Sequence, residues 1–243
     1  MSKVFIIIPA RYGSKRFPGK PLALICNKPM IQHVYERACR CKEVDDVYVA
    51  TDDERIFSCV KKFGGKAIMT SKQHKSGTDR IYEAAKTLGL KEDDIVVNIQ
   101  GDQPAFEPSI IPFLVDPLKN SDIPMSTLMY PIKDKKNIEN PNCVKVVTDK
   151  DGFAIYFSRS PIPYSRDKED IVYYKHIGIY AYKMGFLKVF SRLPESRLER
   201  IERLEQLRVI ENGYRIKVIE SRFNSLEVDV PDDIEKVSKI ICP

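Results

Sequence analysis

Along the first hundred residues, short apolar runs alternate with segments whose apolar positions recur every three or four residues. The runs over 4–9, 47–51 and 95–99 are rich in Val and Ile and nearly continuous, as strands buried on both faces require, and 66–69 reads as a shorter one. Between them Pro29 opens a helix carrying Met30, Ile31, Val34, Tyr35 and Ala38, residues 53–63 predict a helix stopped by Gly64-Gly65, and 78–88 predict a third. This alternation predicts a doubly wound, mostly parallel α/β sheet of Rossmann-like type, covered by helices on both faces.

The second half is less regular. Asp149-Lys150-Asp151-Gly152 between the runs 143–148 and 153–157 predicts a hairpin. Residues 173–182 form a long strand pattern in which His176, Gly178 and Tyr180 share one face. A capping box, Ser196-x-x-Glu199, opens a helix expected to end near Gly213; 215–220 reads as a strand and 231–241 as a last helix with Pro231 in its first position. With no repeat, linker or low-complexity tract, residues 1–243 predict a single domain with a smaller β-rich portion.

At 243 residues and 43% hydrophobic content, the chain is long enough to bury a sizeable core. A net charge of +6 set against 34 acidic residues suits an anionic small substrate. Nucleic acid ranks behind, because the basic residues gather in one loop without interleaved aromatics. No apolar run approaches the roughly 20 residues of a membrane span, which makes the cytoplasm the expected location and a membrane no partner. Six cysteines without a C-x-x-C pair predict unpaired thiols in a reducing compartment, with packing as their role.

In a doubly wound sheet, ligands sit beyond the carboxyl ends of the strands, so the strand exits carry the candidate chemistry. The first run leads through Ala10 into Arg11-Tyr12-Gly13-Ser14-Lys15-Arg16-Phe17-Pro18-Gly19-Lys20-Pro21, a basic loop whose glycines allow backbone amides to approach an anion. It is not a P-loop: five residues separate Gly13 from Gly19 where that motif has four, and Pro21 stands where Ser or Thr would hold magnesium. Asp102, just past the run 95–99 and beside Gly101, is placed to hold a hard cation such as Mg²⁺, which takes few carboxylates and completes its shell with phosphate oxygens. A second acid is then expected from elsewhere. Asp229 is a candidate, with helix capping as the competing reading. Ser76-Gly77-Thr78-Asp79-Arg80 starts a helix and is open to reading as an ordinary cap or as a phosphate site. Glu202, Glu205 and Gln206 fall at helical spacings beside an apolar stripe, where a solvated face is the simpler reading.

Taken in order, these segments resemble the 3-deoxy-manno-octulosonate (Kdo) cytidylyltransferases over essentially the whole chain. The resemblance is carried by Ile8-Pro9-Ala10-Arg11-Tyr12-Gly13-Ser14 through Phe17-Pro18-Gly19-Lys20-Pro21-Leu22, Val49-Ala50-Thr51-Asp52, Ser76-Gly77-Thr78-Asp79-Arg80, Asn98-Ile99-Gln100-Gly101-Asp102, Tyr156-Phe157-Ser158-Arg159, His176-Ile177-Gly178-Ile179-Tyr180, Leu204-Glu205-Gln206-Leu207-Arg208 and Val228-Asp229. It implies a nucleotide-diphospho-sugar transferase type of fold and transfer of CMP from CTP to the anomeric hydroxyl of Kdo, with release of pyrophosphate, for lipopolysaccharide biosynthesis. Related ulosonic acids, amino-substituted Kdo or a sialic acid, are the alternatives, as is a catalytically silent binding protein. By the same resemblance, Ala10, Arg11, Lys20, Ser76, Gly77, Arg80 and Gln100 bind CTP, and Asp102 and Asp229 hold Mg²⁺. Gln100, Arg159, His176, Tyr180, Glu205 and Gln206 surround the sugar acid; Arg11, Lys20, Asp102 and Asp229 serve catalysis. Residues 1–130 mainly serve the nucleotide, 131–225 mainly the sugar and dimerisation, and the protein is a homodimer. The chain departs from the family pattern at Gln103, where Glu is usual, at Asp79 for Glu and at Val230 for Thr.

Overall fold

The Val/Ile runs become central strands because each of their faces is covered: Ile6 and Ile8 of the first strand pack into one core with Ile31, Val34 and Ile56, while Ile7 packs into the opposite core with Ile81, Ala84 and Val96. The computed structural model describes residues 2–13, 17–74, 76–167 and 170–242; Lys15 and Arg16 of the basic loop lie outside the described residues. In chain order its elements are β1 (Val4–Ala10), β2 (Leu24–Ile25), β3 (Lys28–Pro29), α1 (Met30–Ala38), β4 (Asp46–Thr51), α2 (Glu54–Lys62), β5 (Ala67–Met69), α3 (Gly77–Thr87), β6 (Ile95–Asn98), α4 (Ile111–Val115) and β7 (Met125–Pro131). There follow α5 (Lys135–Glu139), β8 (Lys145–Thr148), β9 (Ala154–Ser158), β10 (Tyr174–Lys183), α6 (Met184–Phe190), α7 (Arg197–Glu202), α8 (Leu207–Glu211), β11 (Ile216–Glu220) and α9 (Asp233–Ile241).

Among the described residues the main sheet has nine strands, with the path β11-β7-β10-β6-β1-β4-β5 and the β8–β9 hairpin joined to β10. β10 runs antiparallel to both β6 and β7, and the other strands of the path point one way. The mostly parallel, doubly wound α/β sheet expected from the alternation is therefore present, with one reversed strand inside it.

Three expectations are corrected. The helix opened by Ser196 does not run to Gly213: its capping box forms, but Arg203 takes a left-handed φ of 54° and divides it into α7 and α8. The break lets Leu204 and Leu207 sink into the core while the Glu202 carboxylate stays tied to β9, accepting from the Ser158 hydroxyl at 2.6 Å and the Arg159 amide at 2.9 Å. Glu202, Glu205 and Gln206 accordingly do not share a helical face. The last helix begins at Asp233, not Pro231, because the Asp233 carboxylate accepts the amides of Asp229 and Val230 at 3.1 and 3.2 Å.

The cysteines are the third. Cys26 and Cys242 form a disulfide across a sequence separation of 216, while Cys39, Cys41, Cys59 and Cys143 are free thiols. A small core of Ile25, Met30, Val228 and Val237 brings the β2–β3 turn against α9, and spacing arithmetic along the chain cannot see such a pair. Burial pushes the Cys41 thiol up to about 12, in keeping with a packing role there. Among the described residues no helix is long and apolar enough to cross a membrane.

Candidate active site

The strand order places a switch at β1: the chain leaves toward β4 and β5, then returns on the other side of β1 as β6. A crevice opens beyond the carboxyl ends of β1 and β6. Gly19 turns the basic loop into it. Its φ is 71°, its amide donates to the Tyr12 carbonyl at 2.9 Å, and a Cβ there would stand 3.1 Å from the Tyr12 ring, which the Arg55 guanidinium covers at 3.3 Å. Gly13, by contrast, has no positive φ and open space around it, so only the second glycine is required by the backbone. Lys20 then enters a single 3-10 turn, Lys20–Leu22, and points back over β6.

There it meets both predicted metal acids. The Lys20 Nζ donates to Asp102 Oδ2 at 2.5 Å and to the Val228 carbonyl at 2.9 Å, and lies 3.9 Å from Asp229 Oδ1. The two chain segments are stitched together independently of these side chains, by the Val228 amide donating to the Asp102 carbonyl at 2.9 Å. Gly101 lets this segment pass close to β1, since a Cβ on it would stand 3.1 Å from the Pro9 carbonyl.

Two cavities meet at this point. The smaller, about 280 Å³, is lined by Ala10, Arg11, Lys20, Ser76, Gly77 and Arg80; the larger, about 730 Å³, by His176, Gly178, Tyr180, Glu205, Gln206 and Glu227 among others. Gln100, Asp102 and Asp229 border both. Ser76 caps α3, accepting from the Asp79 amide at 3.1 Å, so the first turn of that helix and its partial positive charge border the smaller cavity. Two of the expected binding side chains are engaged within the protein. Arg80 is buried and its fork is committed to Asp52 at 2.8 Å and Thr70 at 2.5 Å, so it braces the cavity wall. Arg159 is not on the lining of either cavity; its guanidinium donates to the carbonyls of Glu202 at 2.6 Å, Pro141 at 2.8 Å and Arg203 at 3.4 Å.

In the larger cavity His176 and Tyr180 lie together, their rings 5.4 Å apart, despite a register shift between Ile177 and Tyr180. The Thr127 hydroxyl donates its one proton to a carbonyl, that of Ile179 at 2.9 Å or Ile177 at 3.2 Å, so it accepts from His176 Nε2 at 2.9 Å. Burial, with Lys175 nearby, lowers the His176 pKa to about 3, which keeps the ring neutral and Nδ1 unprotonated. Burial likewise raises the Tyr180 phenol and the Glu205 carboxyl, although Thr78 donates to Glu205 Oε2 at 2.7 Å and works against the shift.

An acid pair bridged by an ammonium, between a pocket lined by Arg11, Lys20 and the start of α3 and a second, mixed polar pocket, has the chemistry that joining a nucleotide to another small molecule needs. A family model described as cytidylyltransferase matches residues 5–218.

The chain belongs to the cytidylyltransferase family.

Among cytidylyltransferases it is 56% identical to the 3-deoxy-manno-octulosonate cytidylyltransferase of Syntrophus aciditrophicus (strain SB), over 99% of this chain and 98% of that protein. It is 55% identical to the 8-amino-3,8-dideoxy-manno-octulosonate cytidylyltransferase of Shewanella sp. (strain W3-18-1), over 96% of each. A solved structure of CMP:2-keto-3-deoxy-manno-octonic acid synthetase complexed with CTP superposes with a TM-score of 0.93 at 46% identity, covering 99% of this chain and 98% of that one. In this cytidylyltransferase a cation already bridges the two acids, the Lys20 ammonium, so the donor set fits a divalent ion that draws its remaining ligands from phosphate and water.

Glu227 was not among the sequence candidates. It lies two residues before Asp229, and with Val228 buried between them both acids face the larger cavity. That alternation was the available signal. Glu227 also accounts for Gln103: the Gln103 amide, fully buried, donates to Glu227 Oε1 at 3.0 Å, a bond that an ionised Glu at 103 could not make. Burial and the nearby Asp102 carboxylate raise the Glu227 pKa, so a second acid at 103 would add a like charge where one is already costly.

Proposed function

We propose that the chain transfers CMP from CTP to the anomeric hydroxyl of 3-deoxy-D-manno-octulosonate, releasing pyrophosphate. The observation that carries this reading is the Lys20–Asp102–Asp229 cluster at the seam of the two cavities, with Gln100 beside it. The smaller cavity takes the nucleotide: Arg11, Lys20 and the amides at the start of α3 face its phosphates, Ala10 and Gln100 its remaining edges, and Arg80 holds the wall. The larger cavity takes the sugar acid among Gln100, His176, Tyr180, Glu205 and Gln206, with Arg159 acting through the carbonyls that it holds. Asp102 and Asp229 hold Mg²⁺, which when bound lowers the pKa of the attacking hydroxyl and offsets charge on the phosphates. Lys20 and Arg11 stabilise the charge that builds on phosphate oxygens as the α-phosphorus is attacked. No side-chain general base is assigned, and His176, neutral and with its Nε2–H on Thr127, offers the sugar a hydrogen-bond acceptor at Nδ1.

A relative acting on the 8-amino sugar is almost as similar as the first, which makes amino-substituted Kdo the second reading. Purified protein with CTP, Mg²⁺ and a panel of ulosonic acids is expected to release pyrophosphate with Kdo at a kcat/KM at least about tenfold above its 8-amino analogue or a sialic acid. The reverse order transfers the assignment to the analogue, and release with none of them leaves a nucleotide-binding protein without catalysis.

We also infer a homodimer formed through residues 131–225, in the cytoplasm. Tyr164 and Val172 of that portion are exposed and give it apolar surface to cover. Sedimentation equilibrium at micromolar protein is expected to give twice the 28.0 kDa chain mass; a monomer mass removes the dimer.

A further inference from the structure

Lys145 opens β8 at the point where three strands meet, its Cα paired with Lys175 of β10 and with Ser158 of β9. It is fully buried, at 0% exposure, and forms no ion pair among the described residues. Its three N–H donors go to three backbone carbonyls: Asn140 at 3.0 Å, Cys143 at 2.6 Å and Arg159 at 2.6 Å. An ammonium has three donors, and all are used. Packing alone does not account for this choice, because an apolar side chain of the same length would fill the space without taking a charge out of water.

What the ammonium holds is a wall. Asn140, Asn142 and Cys143 line the larger cavity, and they sit on a loop between α5 and β8 that has little regular structure of its own. Within the loop, the Asn140 side chain accepts the Asn142 amide at 2.9 Å and the Asn140 carbonyl accepts the Cys143 amide at 3.1 Å, so its two ends turn toward the same ammonium. The third carbonyl belongs to Arg159, whose guanidinium in turn grips Pro141 in the middle of that loop and Glu202 at the end of α7, just before Glu205 and Gln206. One buried charge thus ties the asparagine-lined wall to β9 and, through Arg159, to the turn that delivers Glu205 and Gln206.

We propose that Lys145 is a positioning residue for the sugar acid: it sets the asparagine wall and Arg159 without touching substrate, and leaves the nucleotide pocket independent of it. The proposal rests on the larger cavity being the sugar site, as assigned above. Burial lowers the Lys145 pKa, in keeping with the cost of the arrangement.

Lys145→Met keeps most of the side-chain volume and removes the donors. The expected result is a rise in KM for Kdo on the order of tenfold or more, with KM and Kd for CTP within about twofold of wild type. Cys143 supplies a second readout, since it is a free thiol on the same loop. Its alkylation by iodoacetamide, resolved by peptide mass spectrometry, is expected to be at least about tenfold faster in the variant, because the loop is no longer pinned. Should Lys145→Met fail to fold, Arg159→Gln removes the guanidinium grip on Pro141 and is expected to give the same split in KM and the same gain in Cys143 reactivity. Equal rises in both KM values, a KM for Kdo within about twofold of wild type, or unchanged Cys143 alkylation in the folded variant overturns the proposal. Wild-type protein that binds CTP and turns over no ulosonic acid overturns the sugar assignment instead, and Cys143 alkylation then still decides whether Lys145 anchors the wall.

Discussion

Asp102→Asn is expected to lower kcat by about 10²- to 10³-fold while changing the Kd for CTP by less than about threefold. The substitution keeps side-chain shape, and the bond from the Val228 amide to the Asp102 carbonyl survives because it is made by backbone. What goes is one negative charge at the seam of the two cavities. The Lys20 ammonium, now 2.5 Å from Asp102 Oδ2, loses its charge-assisted partner and keeps the Val228 carbonyl and Asp229. Among the described residues of the proposed nucleotide site, Arg11 and the start of α3 make no hydrogen bond or ion pair to the Asp102 carboxylate and Lys20 keeps its charge, so ground-state CTP affinity is expected to change little. Charge redistribution during transfer is concentrated at the α-phosphorus, and an interaction realised only there shows in kcat rather than in binding. Steady-state kinetics with both substrates saturating, and isothermal titration of CTP, separate the two quantities. Turnover close to wild type at saturating Mg²⁺ removes Asp102 from the reaction.

The strand exits were legible because period and burial agree there: β1, β4 and β6 are covered on both faces, and such strands write themselves as Val/Ile runs. The chain's return across β1 then dictates where Arg11, Asp102 and Gln100 must converge. Where residues act at a distance, the sequence was a poorer guide. Nothing in the 196–213 pattern signals that Arg203 adopts φ 54°, since a non-glycine left-handed residue is held by tertiary contacts, here the bonds from β9 to Glu202. The Cys26–Cys242 link has the same character. Met125–Pro131 escaped notice as a strand although it lies between β10 and β11, because its Ser126 and Thr127, both fully buried, break the apolar run while their hydroxyls are satisfied by the carbonyls of Leu114 and Ile179. Arg159 is the instructive case for the site. Its motif marks it for the sugar, and its guanidinium donates to the carbonyls of Glu202, Pro141 and Arg203, contacts across 18 to 44 residues of chain that no spacing foretells.

Lys20→Met is expected to lower kcat/KM by about 10²- to 10³-fold and, in the same protein, to strengthen divalent-ion binding in the absence of nucleotide by about tenfold. The first effect follows from removing a cation that lines the smaller cavity, the proposed site of the phosphates. The second follows from what the ammonium touches now. Its contacts are Asp102, Asp229 and a backbone carbonyl, the same oxygens that a hard cation would choose. With 13% of the Lys20 side chain and 25% and 37% of the two carboxylate side chains exposed, solvent weakens the attraction well below its value in a dry interior, which is why the gain is put at one order of magnitude. Lys20 therefore has opposed effects. In the proposed site it would hold two like charges together and compete with an ion for them, and the acids would become available once phosphate oxygens draw the ammonium away. Mn²⁺ titration followed by electron paramagnetic resonance, with and without a non-hydrolysable CTP analogue, reads this directly. Wild type is expected to bind Mn²⁺ much more tightly with the analogue than without it, and Lys20→Met to show a smaller difference between the two. Equal nucleotide-free Mn²⁺ affinity in the two proteins excludes competition between the ammonium and the ion, and leaves Lys20 a phosphate ligand only.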